Sequence, residues 1–274
     1  MENVNLNENQ VSENRKRRQS FAKIANDRLG ETVMQNCNEV AFIVEYVNTH
    51  DITVQFKRTG ELVKTEYDTF VRGNIKSHFT PSVYGVGVKG LEPIVDENGE
   101  KLDSYECWKS MLERCYSAKC QKKHPTYINC RVCDKWLFYP NFKNWYDKNY
   151  YKVDGCTMML DKDIKVKGSK IYSPNTCMFV PSEINFYFTK GLSNKTLPTG
   201  VYYDKINKNY YSNICIEGKH IRLKGSQSTD IATTFSYYKK AKEEDIKRLA
   251  DKYKDKIPND VYEIIYNRTV DIND

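Results

Sequence analysis

Apolar and polar residues alternate through EVAFIVEYVNTHDITVQFKRTGELVKTEYDTFVRG (39–73) in two runs, 40–47 and 52–56. This is the period of strands that bury one face. Asn48-Thr49-His50-Asp51 joins the runs as a turn, and Arg58-Thr59-Gly60 leads into a third run. Such closely spaced short strands predict a small, strongly bent β-barrel at 21–80. The period changes in SYECWKSMLERCYS (104–117), where Trp108, Met111, Leu112 and Cys115 stand at i, i+3, i+4 and i+7 and predict an amphipathic helix. After the loop SAKCQKKHPTYINC, the stretch VCDKWLFYPNFKNWYDKNYY predicts a second aromatic helix that Pro140 begins or interrupts. Trp108, Trp136, Phe142 and Trp145 on this pair read as core rather than as a stacking platform for bases.

Residues 156–188 contain a short apolar run closed by Asp161, a lysine-rich loop and a second run, and 189–199 is a polar linker. GVYYDKINKNYYSNICIEGKHIRLKG (200–225) predicts three short strands separated by Lys-Asn and Glu-Gly-Lys turns. STDIATTFSYYKKAKEEDIKRLADKYKDKI predicts a long helix with Ser228 or Thr229 as its N-cap. The expected class is α+β and multi-domain, with the N-terminal barrel similar to Src-homology-like barrels in shape alone.

Residues 1–20 are polar, Asn/Glu-rich and end in Arg15-Lys16-Arg17-Arg18, the composition of a disordered basic arm. They have no apolar h-region, and no apolar run reaches the roughly 18 residues of a membrane span, so a cytoplasmic protein with no membrane partner is expected. Without a secretion signal, the nine cysteines read as reduced thiols in a core or on a metal. The formal charge of +7 is unevenly spread: 109–152 holds ten Lys/Arg against three Asp/Glu, and 195–242 holds nine against three. Two basic segments on a chain whose remainder is acidic are the footprint of a polyanion, most simply double-stranded DNA, or else solvated faces.

Cys115-x4-Cys120-x9-Cys130-x2-Cys133 offers four thiolates with one Cys-x-x-Cys knuckle, suited to tetrahedral zinc, or four buried core thiols. Asp161, with Asp163 beside it, supplies oxygen ligands of the kind Mg²⁺ or Mn²⁺ take. Read without a metal, 160–185 is a hairpin in which both aspartates are turn or capping groups.

The order of motifs matters more than any one of them. Trp108, Met111-Leu112 and Arg114-Cys115-Tyr116 are followed by Val132-Cys133, Trp136, Phe142 and Trp145, then LDKD (160–163), YSP (172–174), Cys177, Phe179, Pro181, Ile184-Asn185, and GVYYDKINKNYYSNICIEG (200–218). This order resembles phage-borne HNH-type homing endonucleases that carry a C-terminal APETALA-type (ethylene-responsive-factor) DNA-binding domain, over about 104–245. The resemblance implies a ββα-metal module at 104–188 and an APETALA-like domain with a helical tail at 200–274. It implies Asp161 as metal ligand, Lys162 at the place of the water-activating histidine, Thr176 with Asn175 beside it at the orienting asparagine, and Asn185 at the helical position. A lysine there suits phosphate contact better than proton abstraction, its ordinary pKa being about 10.4. The resemblance also implies a sheet entering the major groove with Tyr202, Lys205, Lys208, Tyr211, Asn213, Arg222 and Lys224 outward, Asn213 and Arg222 facing base edges. The expected function is a metal-dependent DNA endonuclease. Its alternatives are a non-catalytic DNA-binding or regulatory protein on a degenerate scaffold, and a phage factor that binds a host protein.

Overall fold

The computed structural model describes residues 8–189 and 196–273. Its class is α+β. The alternating stretch forms four antiparallel strands in chain order, β1 (Thr32–Gln35), β2 (Glu39–Asn48), β3 (Asp51–Phe56) and β4 (Leu62–Thr65). β2 and β3 pair as far as Asn48↔Asp51, which leaves Thr49-His50 as the turn. Ile52, Val54 and Phe56 alternate inward on β3 and are fully buried, against Ala41 and Ile43 of β2. The Glu39 carboxylate fastens the next turn by accepting the N–H groups of Arg58 (3.1 Å) and Thr59 (3.0 Å).

The expected barrel is not closed. Among the described residues β1 and β4 each pair with one strand only. The open sheet is covered instead by Phe70 of helix α2 (Tyr67–Val71), which is fully buried in the same core. The basic arm is also different from expectation: residues 8–20 belong to helix α1 (Glu8–Arg28), while 1–7 lie outside the described residues. ENQVSENRKRRQSFAKIANDR is polar but contains neither Gly nor Pro, so nothing in it interrupts a helix.

Helix α3 (Asp103–Tyr116) buries Trp108, Met111, Leu112 and Cys115 as the period requires. The following stretch, expected as a loop, contains α4 (Ala118–Lys123), capped by the Ser117 hydroxyl. The second aromatic helix is two, α5 (Asp134–Leu137) and α6 (Tyr139–Asn149), with Pro140 in the first turn of α6, where the missing N–H costs nothing. Trp108 Nε1 donates to the Trp136 carbonyl at 2.6 Å. The rings of Tyr105, Trp108 and Tyr139 meet at 5.3–5.8 Å.

The remaining elements are β5 (Arg131–Val132), β6 (Met158–Asp161), β7 (Ile171–Tyr172), β8 (Met178–Pro181), α7 (Ser182–Phe188), β9 (Val201–Asp204), β10 (Asn209–Ile216), β11 (Lys219–Arg222), α8 (Ile231–Tyr253) and α9 (Asn259–Tyr266). β6 pairs with β8, β5 runs parallel to β7, and β9, β10 and β11 form a sheet with β10 central. Helix α8 is capped by Asp230, not Ser228 or Thr229: its carboxylate accepts the Thr233 N–H at 2.7 Å.

The chain divides into two compact units, Met1–Thr126 with Asp134–Lys143, and Tyr127–Cys133 with Asn144–Asp274. The division expected at 189–199 is therefore not where the core divides; residues 190–195 of that linker lie outside the described residues. In the second unit Ile164, Met178, Val180 and Ile184 of the hairpin share one core with Val201, Ile214, Phe235, Ile246 and Leu249. The apolar edge of α8 is buried between the hairpin and the sheet, so separating the two would expose both. Among the described residues no helix is long and apolar enough to cross a membrane.

Candidate nucleic-acid interface and hairpin site

Strand β10 decides which side chains the sheet presents. Ser212 and Ile214 are buried towards α8, and the Ser212 hydroxyl donates to the Thr234 carbonyl. Strand alternation then sends Tyr211 and Asn213 to the opposite face. The register sets Tyr202 beside Tyr211 and Arg222 beside Asn213, so four of the expected residues come together on one surface. The Tyr202 and Tyr211 rings stack at 5.7 Å with 22° between their planes. The Arg222 guanidinium lies 3.9 Å above the Tyr211 ring. Lys205 and Lys208 sit in the exposed turn between β9 and β10, and Lys224 in the turn after β11, so the three lysines border the face rather than stand on it.

Asp204 was not among the expected residues, yet it organises one end of this face. Its carboxylate accepts the Ile206 (3.1 Å) and Asn207 (3.2 Å) N–H groups and the Asn207 side chain (2.9 Å), and stands 3.5 Å from Arg222 Nη2. The Asn207 bonds hold its pKa below the usual carboxylate range, with Arg222 adding to the effect. Register also adds Cys215 and His220 to the face, as a directly opposed pair. The signal for His220 was its place two residues before Arg222 on one strand. Asn209 and Asn213 each keep a side-chain oxygen that is shielded from solvent and accepts no hydrogen bond among the described residues.

The hairpin has the expected order of strand, strand and helix, β6, β8 and α7, with Asp161 opposite Met178. Asp161 Oδ1 accepts the backbone N–H groups of Asp163 (2.7 Å) and Ile164 (2.6 Å), which fixes the turn leaving β6. Burial raises the Asp161 pKa and is the largest influence on it; the two backbone N–H groups oppose the rise. Lys162, expected at the surface as a base or phosphate contact, is buried at 6% exposure, and its ammonium meets Asp163 Oδ2 at 2.6 Å. β6 ends at Asp161, and in the bend that follows, Lys162 turns inward as Ile164 does while Lys165 is exposed. Asn175 and Thr176 precede β8 rather than belonging to it. Thr176 Oγ1 donates to the Ile171 carbonyl at 2.6 Å and accepts the Ser173 N–H at 3.1 Å, a turn lock, while Asn175 is exposed. Asn185 is half-buried on α7. Among the described residues no hydrogen bond joins Asp161 to Asn175, Thr176 or Asn185.

A further residue holds the hairpin from outside. Arg268, after α9, donates to the Ile164 carbonyl at 2.7 Å and the Asp163 carbonyl at 3.2 Å. Its position a hundred residues away gave no signal in the sequence. What remains available for an ion is Asp161 Oδ2, which makes no hydrogen bond among the described residues, and the half-exposed Asp163 carboxylate. Cys115 and Cys120 belong to α3 and α4 in the first unit, and Cys130 and Cys133 flank β5 in the second. Among the described residues no group of three or more His, Cys, Asp or Glu side chains is gathered as a set of ligands.

In comparisons with family models, with curated proteins and with solved structures, nothing matches this chain.

Proposed function

We propose that the chain is a duplex-DNA-binding protein of phage type, in which an APETALA-like C-terminal sheet meets the major groove and an HNH-like hairpin serves as scaffold. The observation that carries this reading is the assembly of Tyr202, Tyr211, Asn213 and Arg222 on one outward sheet face, bordered by lysine-bearing turns. A sheet of this width fits the roughly 12 Å major groove. Lysines at its borders meet phosphates, and the central Asn and Arg are of the types that pair with adenine and guanine edges. The scaffold role is favoured by how the hairpin spends its polar groups: one Asp161 oxygen closes a turn, and Lys162 is buried in an ion pair.

The test is anisotropy of labelled duplexes with the full chain across a salt series. The expected plot of log affinity against log salt falls with a slope of about −0.9 per phosphate neutralised. Arg222→Ala should relax sequence preference, whereas Lys208→Ala should weaken all sequences alike. Affinity unchanged between low and moderate salt would refute DNA binding and favour a host-protein partner.

A second reading, metal-dependent endonuclease, is favoured by one observation: Asp161 Oδ2 makes no hydrogen bond and lies two residues from the Asp163 carboxylate. Two such oxygens suit Mg²⁺ or Mn²⁺. Asp161-dependent nicking of plasmid with either ion would establish it.

A further inference from the structure

The second unit contains a concave site that the sheet face does not use. A cavity of about 750 Å³ is lined by the ends of α7, the stretch 196–199, one side of α8 and the residues after α9. Its size lies within the range of roughly 300–1,000 Å³ typical of small-molecule sites. Among the described residues, Lys167, Lys242 and Arg268 contribute cations to the wall, and no Asp or Glu lines it. The nearest carboxylate on α8, Asp245, is already engaged: it accepts the Tyr187 hydroxyl at 2.5 Å and two nitrogens of Arg248 at 2.8 and 3.1 Å.

The Lys242 ammonium lies 3.6 Å over the Tyr187 ring and makes neither a hydrogen bond nor an ion pair among the described residues. Burial lowers its pKa, against the pull of Asp245. Arg268 donates to two carbonyls, and among the described residues it makes no ion pair with a carboxylate. A half-buried ammonium with three unmet donors beside an uncompensated guanidinium is a site prepared for an anion. The rest of the wall is of another kind: Phe188, Tyr238, Ile246 and Val270 present rings and aliphatic surface. A phosphate alone would fill only a small part of this volume and would leave the apolar side wet.

We propose that this cavity binds a nucleoside phosphate, with the phosphate on Lys242 and Arg268 and the base against Phe188 and Tyr238. The same chemistry is offered by a free nucleotide and by the terminal nucleotide of a DNA single strand. The proposal does not rest on duplex binding by the sheet, because none of these residues belongs to that face.

The experiment is calorimetric titration of the full chain with AMP, GMP, adenosine, inorganic phosphate and a 5′-phosphorylated oligonucleotide. AMP or GMP should bind, with adenosine and phosphate each weaker by about tenfold or more, since each lacks half of the recognised group. Lys242→Gln should weaken the nucleotide by about tenfold, the worth of one charge-assisted contact, and leave duplex affinity unchanged. Lys240→Gln, the same charge change on the exposed side of α8, should bind as wild type does. Binding of the oligonucleotide alone would identify the strand end as the source. No heat with any probe at millimolar concentration overturns the proposal, as does equal affinity for AMP and adenosine. Equal losses in Lys242→Gln and Lys240→Gln overturn it too. If Lys242→Gln does not fold, Phe188→Leu takes its place: it should weaken AMP and leave inorganic phosphate unchanged, and an unchanged AMP affinity overturns the proposal.

Discussion

Asp161→Ala separates a structural from a catalytic aspartate, because the two roles predict opposite signatures. In the native turn Asp161 Oδ1 accepts two backbone N–H groups at 2.7 and 2.6 Å. Removing it strands the N–H of Ile164, a residue only 1% exposed, at a cost of about 1–3 kcal/mol. The Asp163 N–H is nearer to solvent and finds water, so its loss is smaller. Against this, the variant no longer buries a desolvated carboxylate, which returns part of the cost. The net expectation is a loss of about 2 kcal/mol, or about 8 °C in melting temperature for a unit of this size.

Asp161→Asn keeps the acceptor and drops the charge, so it should cost less than about 1 kcal/mol. The pH dependence has a definite sign. Burial raises the folded-state pKa of Asp161 above its unfolded value. The native state therefore holds this proton to higher pH than the unfolded chain does, and the associated stability is lost as pH rises through the folded pKa. Wild type should gain on Asp161→Asn as pH falls from 7 towards 4, read as the difference between their melting temperatures. A melting temperature of Asp161→Ala within about 1 °C of wild type would refute the structural account and leave the carboxylate free for an ion.

Gly200→Ala should cost about 3 kcal/mol in urea unfolding, because Gly200 has φ +81° and an added Cβ would come within 2.0 Å of the buried Tyr238 ring; an unchanged midpoint would show that the ring moves freely. Neither wild type nor Lys162→His should nick supercoiled plasmid with Mg²⁺ or Mn²⁺, since position 162 faces the interior; nicking that depends on Asp161 would restore the endonuclease reading. If Cys115, Cys120, Cys130 and Cys133 hold zinc, protein kept reduced throughout should contain about one equivalent, and metal analysis finding none would leave them as core thiols, as the burial of Cys115 and Cys130 favours.

The sequence was most informative where one element carries its own period. Ile52, Val54 and Phe56 alternate, and Trp108, Met111, Leu112 and Cys115 recur at helical spacing, and in both cases the periodic residues are the buried ones. The C-terminal face was readable for the same reason, since alternation alone puts Tyr211 and Asn213 opposite Ser212 and Ile214. Closure of the first sheet was not readable, because it turns on which long-range partner an edge strand finds, and here Phe70 fills that space. Residues 8–20 misled through composition: their polarity suits disorder, but a stretch without Gly or Pro suits a helix equally well.

The hairpin shows most sharply what a motif does not contain. LDK supplies the residue types of a metal site, and the chemistry depends on whether Lys162 points out or in, which the sequence leaves to the register of β6 on β8. Lys162 is buried in the bend that Asp161 closes after β6, and a buried ammonium needs an anion, which Asp163 provides at 2.6 Å. Asp163 in turn is held by its own backbone, since Arg268 clamps the carbonyls of residues 163 and 164. Lys162 and Asp163 thus satisfy one another, while Asp161 closes the turn with one oxygen and keeps the other without a hydrogen bond among the described residues. The residue that enforces this lies beyond α9, among those whose cores merge the hairpin with the C-terminal sheet. A hairpin that shares its core with the C-terminal sheet holds that sheet in place whatever its charged residues do, and removing it would expose apolar surface on both.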